Sequence, residues 1–226
     1  MKIGVFDSGI GGKSIAAAIQ KAMPEAQVIY KQDEKNLPYG TKSKAELLHF
    51  VLPFIQEFNG ENCDAVVIAC NTVTTNTINH VRLACNAPVI GIEPMVKPAA
   101  RVTKSKKIAV CATPTTLNSK RYQELKHTYA AGIEVFEPDC SDWSTMIEAK
   151  KINQDKIDRQ IKEVCKRGAD VIVLGCTHYH WIEKEIQKVA DEFHAKVIQP
   201  EEAIVRRLKQ VINNENNRLH NHKLQN

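Results

Sequence analysis

No stretch of the 226-residue chain approaches the roughly eighteen consecutive apolar residues that a membrane-spanning helix needs. Met1-Lys2 leads straight into a short apolar segment without a small-residue cleavage site, so no secretory signal is expected. The seven cysteines, at 63, 70, 85, 111, 140, 165 and 176, are odd in number and contain no CxxC pair, which argues against a disulfide framework and against a zinc ribbon. Charge of one sign is nowhere concentrated. The net +5 is modest and the basic residues are spread along the chain, as on a solvated surface rather than a nucleic-acid site. These absences point to a reduced, cytoplasmic, globular protein that requires neither membrane nor nucleic acid, and 43% hydrophobic residues suffice for a buried core. The mildly positive field suits an acidic substrate.

What is present is a repeat. Asp64-Ala-Val-Val-Ile-Ala-Cys70-Asn-Thr72 falls in step with Asp170-Val-Ile-Val-Leu-Gly-Cys176-Thr-His178, with the two thiols 106 residues apart. Lys2-Ile-Gly-Val-Phe-Asp7 matches Lys107-Ile-Ala-Val-Cys-Ala112, Gln27-Val-Ile-Tyr-Lys31 matches Ile133-Glu-Val-Phe-Glu137, and Ala87-Pro-Val-Ile90 matches Ala195-Lys-Val-Ile198 at nearly the same offset. Four aligned segments in one order indicate two similar lobes. Facing lobes would set one thiol on each side of a shared cleft, the geometry for removing a proton from one face of a carbon and returning it to the other.

Short apolar runs alternating with segments of helical period predict a parallel α/β architecture. Strands are expected near 2–7, 27–31, 64–70 and 88–92, then 107–111, 133–137, 170–175 and 196–199. Helices are expected over 12–22, 43–58, 74–84, 116–130, 153–167, 181–193 and 202–212, with Thr41 or Ser43, Asn118 or Ser119, and Asn153 as caps. The prolines of Glu93-Pro94-Met95-Val96-Lys97-Pro98 mark a seam, and the polar residues 213–226 read as a frayed or disordered tail. Ligands of open parallel sheets bind outside the carboxyl ends of the strands. Asp7-Ser8-Gly9, Cys70-Asn71-Thr72, Thr113 with Thr116, and Cys176-Thr177-His178 all fall at such ends.

Gly12-Lys13-Ser14 ends like a phosphate loop, but Asp7 stands where the first glycine of that loop belongs and would repel phosphate. Ser14 likewise replaces the third glycine of a dinucleotide motif. What remains is a glycine-rich turn whose amides can hold a carboxylate, or a structural turn in which Asp7 or Ser8 only caps a helix. Cys63, Cys85, Cys111 and Cys165 read as small buried hydrophobes. Cys70 and Cys176 differ, because each ends an apolar strand and precedes polar residues at an expected helix start, where amide dipoles favour a thiolate. His178 is placed to assist the proton traffic of Cys176, or is a satisfied structural histidine. A zinc site from Cys70, Cys176 and His178 is a further reading with poor ligand spacing. Glu148 alone reads as a helix-surface carboxylate.

Together, Asp7-Ser-Gly-Ile-Gly-Gly12, Pro38-Tyr-Gly-Thr-Lys-Ser43, Ala69-Cys-Asn-Thr72 and Gly175-Cys-Thr-His-Tyr179 resemble glutamate racemase, in the aspartate/glutamate racemase superfamily, over about residues 1–212. The resemblance implies two pseudo-symmetric α/β lobes, each with a mainly parallel sheet flanked by helices and with the active site between them. The first lobe would comprise 1–95 plus 200–226, with a returning C-terminal helix and the polar tail, and the second 96–199. The implied activity is interconversion of L- and D-glutamate without cofactor or metal, the D-enantiomer being supplied to bacterial peptidoglycan; a homodimer is compatible. Cys70 and Cys176 would be the acid/base residues, with Asp7 supporting Cys70 and His178 supporting Cys176. Ser8, Tyr39, Gly40, Asn71, Thr72, Thr113, Thr116 and Thr177 would hold the charged groups of the amino acid. Glu148 follows Cys140 at the family's spacing, although Ser141 replaces the usual proline. Further departures are Lys31-Gln32-Asp33, Val73, His180-Trp181 and Gln199-Pro200-Glu201. The alternatives are a racemase or isomerase of another acidic substrate such as aspartate, or a weakly catalytic amino-acid-binding or regulatory homologue. Retention of both thiols and His178 argues against the last.

Overall fold

Parallel strands covered by helices on both faces must be apolar along nearly their whole length. The computed structural model describes residues 1–224 and places eight such strands in two sheets. In the first, β1 (Lys2–Asp7), β2 (Gln27–Gln32), β3 (Ala65–Ile68) and β4 (Val89–Gly91) run parallel in the order β2-β1-β3-β4. In the second, β5 (Lys107–Cys111), β6 (Glu134–Phe136), β7 (Val171–Leu174) and β8 (Lys196–Ile198) repeat that order as β6-β5-β7-β8. The internal repeat is thus a repeat of topology. Its register is matched in detail: the Ala69 amide donates to the Phe6 carbonyl and the Gly175 amide to the Cys111 carbonyl, each at 2.7 Å, just before the two thiols.

The helices are α1 (Gly12–Ala22), α2 (Lys44–Gly60), α3 (Asn71–Ala84), α4 (Val96–Val102), α5 (Pro114–Leu117), α6 (Lys120–Tyr129), α7 (Trp143–Glu148), α8 (Gln154–Lys166), α9 (Glu183–Asp191) and α10 (Glu201–Leu224). Ser43 closes a capping box with Glu46 at the start of α2, and Ser119 and Asn153 cap α6 and α8 through their side chains. Each sheet has an apolar core on both faces. Ile15 and Ile19 of α1 meet Ile3 and Val5 on one face of the first sheet, while Leu47, Val51 and Ile55 of α2 meet Phe6 and Val66 on the other. Ile204 and Leu208 of α10 join the α1 side, bringing the end of the chain back to the first sheet.

Several expected boundaries are corrected. The single helix over 116–130 is two, because Ser119 caps a new start. The proline seam contains α4; Pro98 lies in its first turn, where its missing N–H is not needed. Residues 177–182 form a 3₁₀ segment, so α9 begins at Glu183. The polar segment after 212, read as frayed, continues α10 to Leu224, since no Pro or Gly interrupts it and Glu, Arg, Leu and Lys favour helix. The last two residues of that expected tail, 225–226, lie outside the described residues.

Candidate active site

In each sheet the chain leaves the first central strand toward one edge and the second central strand toward the other, so the loops part at the carboxyl ends of those two strands. Ser8 and Cys70 occupy that crevice in the first lobe, with Ser8 Oγ 3.5 Å from Cys70 Sγ. Thr113 and Cys176 occupy it in the second. The crevices share one cavity of about 160 Å³, bordered by Ser8, Tyr39, Gly40, Cys70 and Thr72 from one side and by Thr113, Glu148, Cys176, Thr177 and His178 from the other. A larger groove, about 940 Å³, lies along α3, α6 and α10 and touches neither thiol. The small cavity is where the chemistry-bearing groups converge.

The surroundings of the two thiols are unequal. Cys176 Sγ lies 3.7 Å from His178 Nδ1, and His178 Nε2 lies 2.6 Å from Glu148 Oε1. Burial alone would lower the pKa of His178, but its hydrogen bonds to Cys176 and Glu148 outweigh that and hold it well above the ordinary imidazole value. As an imidazolium both ring nitrogens donate. The same contact holds Glu148 below the ordinary carboxylate value, ahead of the opposing effect of burial and assisted by the Ile10 amide at 2.9 Å. Among the described residues Cys70 has no cationic partner. Burial, reinforced by the nearby Asp7 carboxylate, pushes it up to about 12, against weaker help from Ser8 and the Val73 amide. The expectation that amides at the helix start favour a thiolate at Cys70 is therefore corrected, because desolvation outweighs the help of the Val73 amide.

Asp7 is fully buried, and burial raises its pKa against the charge of His178 and the loop amides. It makes no hydrogen bond to Cys70. Its Oδ2 accepts from the amides of Gly12 at 2.9 Å and Gly9 at 3.3 Å, and its Oδ1 from the Thr177 hydroxyl at 3.2 Å, so it ties the loop to the second lobe. The carboxylates gripped by the glycine-rich loop are thus the protein's own, Asp7 and Glu148.

Opposite this arm, three hydroxyls join the lobes: Thr72 lies 2.9 Å from Thr113 and 3.2 Å from Thr116, and Thr113 lies 3.0 Å from Thr116. A Cβ on Gly40 would come within 2.9 Å of Thr113 Cβ, so only glycine permits this approach. Tyr39 borders the cavity, but its hydroxyl is committed to buried Asp33 at 2.7 Å. Asn71, Asp7 and Thr116 stand behind the wall. Both polar atoms of the Asn71 amide are buried without a partner among the described residues. Leu37, Pro38, Ser144 and Thr145 also line the cavity and were not anticipated as site residues; Ser144 was within reach, since it precedes Glu148 by one helical turn.

Residues 13–208 match the family described as Asp/Glu/Hydantoin racemase. The chain belongs to this family. The racemase is 36% identical to glutamate racemase of Clostridium novyi over 197 residues, covering 85% of this chain and 76% of the relative. It is 35% identical to glutamate racemase of Deinococcus radiodurans, covering 83% and 67%. Among solved structures it superposes on Escherichia coli glutamate racemase in complex with L-glutamate and the activator UDP-MurNAc-ala with a TM-score of 0.86 at 28% identity, covering 94% of this chain and 82% of that one. Against Francisella tularensis glutamate racemase in complex with D-glutamate the TM-score is 0.79 at 31% identity, covering 95% and 82%. Among the described residues no helix of the racemase is long and apolar enough to cross a membrane, and no three or more His, Cys, Asp or Glu side chains are arranged to hold a metal ion.

Proposed function

We propose that the racemase interconverts L- and D-glutamate by a two-base mechanism on Cys70 and Cys176, in the cytoplasm, supplying D-glutamate for peptidoglycan. The lobes that close on the substrate are 1–95 plus 200–224 and 96–199. One observation carries the reading: two thiols from corresponding strand ends of repeated lobes border a single cavity. Relatives and solved neighbours named glutamate racemase supply the substrate.

One cysteine takes the α-proton and the other donates to the opposite face of the carbanion: Cys176, beside His178, serves as the base, and Cys70, whose thiol form is favoured by burial, as the donor. The reverse reaction exchanges the roles. Glu148 keeps the imidazolium charged, and Ser8 hydrogen-bonds Cys70 as its proton leaves. The cavity-lining Thr72, Thr113 and Thr177 supply preorganised hydrogen bonds for the charged groups of the amino acid and for the charge that develops in the carbanion, with Thr116 and Asn71 supporting them from behind. Circular dichroism of the purified protein with each enantiomer of glutamate and of aspartate tests this: the signal should decay to zero from both sides with glutamate. In deuterated water the product enantiomer should carry α-deuterium while early unreacted substrate stays protiated, and substantial protium in the product would remove the two-base assignment.

A further inference from the structure

The tip of the glycine-rich loop follows β1 in the chain, yet it is docked in the second lobe. Ile10 is held there at three points. Its amide donates to Glu148 Oε1 at 2.9 Å, its carbonyl accepts from the Trp181 indole N–H at 3.3 Å, and its side chain packs against the second-lobe core that contains Trp143, Cys176 and Tyr179. The flanking glycines let the loop come this close. A Cβ on Gly9 would lie 2.0 Å from Glu148 Oε1 and 2.8 Å from His178 Nε2, and one on Gly11 would lie 2.6 Å from the His178 backbone nitrogen. The acceptor atom is shared: Glu148 Oε1 takes both the Ile10 amide and His178 Nε2.

We infer that Ile10 is a positioning residue: docking of its side chain fixes Glu148, and through Glu148 the His178–Cys176 pair, so that the Cys176 base is armed only when this side of the cleft is closed. The inference rests on the two-base reading and adds to it a coupling between lobe closure and the charge of one base. The groups that bear on His178 are Cys176 and His180 from its own segment, Glu148 from α7 and Asp7 from the end of β1; Lys13 of α1 acts on Glu148. With Ile10 undocked, Glu148 loses its backbone donor and its fixed position. His178 then keeps less of the interaction that raises its pKa.

The test is an NMR titration of ring-labelled His178 in the full chain without substrate, run on Ile10→Ala, Trp181→Phe and Ile10→Val, with racemisation followed in parallel. Ile10→Ala should lower the His178 midpoint by about half a unit to one unit and reduce kcat/KM about tenfold for both enantiomers. Trp181→Phe, at an exposed position where unfolding is not expected, should shift the midpoint in the same direction by less. Ile10→Val, which keeps an apolar side chain, should titrate like the parent. An unchanged His178 midpoint in the folded Ile10→Ala and Trp181→Phe variants would overturn the coupling, even if activity fell. A shifted midpoint in a protein that does not racemise glutamate would support the coupling while removing the glutamate reading.

Discussion

Gly9→Ala places a methyl where the structure has no room for one. Its Cβ would stand 2.0 Å from Glu148 Oε1, and ordinary contact begins at 3.4 Å, so the carboxylate must retreat by about 1.4 Å. That displacement breaks the 2.6 Å contact with His178 and the 2.9 Å bond from the Ile10 amide. Hydrogen bonds to charged groups contribute about 1.5–3 kcal/mol each. Water recovers part of this at a carboxylate that is 20% exposed, leaving a net loss of about 2 kcal/mol, or about 4–8 °C in Tm for a protein of this size. The catalytic loss is larger, because an ångström of misplacement at a reacting constellation costs about 10²-fold in rate. Polarimetric kcat/KM and thermal unfolding read both effects, and Gly60→Ala is the control, since nothing lies within 4 Å of its Cβ position. If the effect runs mainly through Glu148, Gly9→Ala added to Glu148→Ala costs less than it does alone, the remaining contact being His178 Nε2 at 2.8 Å. Full additivity of the two losses, or Gly9→Ala activity within about threefold of the parent, would refute the reasoning.

Cys70→Ser and Cys176→Ser should each abolish racemisation with far-UV circular dichroism unchanged, because a hydroxyl neither ionises nor donates as the buried thiol does; near-normal turnover in either removes the two-thiol mechanism. Thr113→Val deletes the hydroxyl that meets both Thr72 and Thr116 and should raise KM about tenfold with kcat changed little; a fall in kcat at constant KM would instead place Thr113 in the transition state. Buried His180 is held down to about 4 from 6.5, first by desolvation and then by His178, so it is neutral in the fold when the unfolded chain is already protonated. Stability should therefore drop by about 3 kcal/mol as pH falls from about 6.5 to 4, and His180→Gln should remove that part of the slope in urea titrations; identical slopes would sink the assignment.

Cys70 and Cys176 could be found in the sequence because an apolar run ends at each, and a buried parallel strand admits few other patterns. The repeat then fixed which strands correspond. Glu148 was visible only through family spacing, since its partners Ile10 and His178 lie 138 and 30 residues away and the six-residue α7 is too short to show a period. The hydrogen-bond partners of Asp7 were not legible for a related reason: it ends a strand beside that of Cys70, while its oxygens are taken by near amides and by a hydroxyl 170 residues away. Sequence likewise named the thiols without ranking them. The sign of the neighbouring charge separates them, the Asp7 carboxylate near Cys70 and His178 beside Cys176, and it arises only on folding.

That inequality between the thiols has a limit set outside the protein. Enantiomers have equal free energies in achiral water, so their equilibrium constant is unity whatever the enzyme does. The ratio kcat/KM must then be the same in both directions. A site with Cys176 beside a buried cation and Cys70 beside a hydroxyl can bind one hand more tightly and turn it over more slowly, but only in matched proportion. The asymmetry written into Ser8, His178 and Glu148 therefore governs which free-enzyme protonation state accumulates and which enantiomer saturates first, while the net direction of flux belongs to whatever consumes the product.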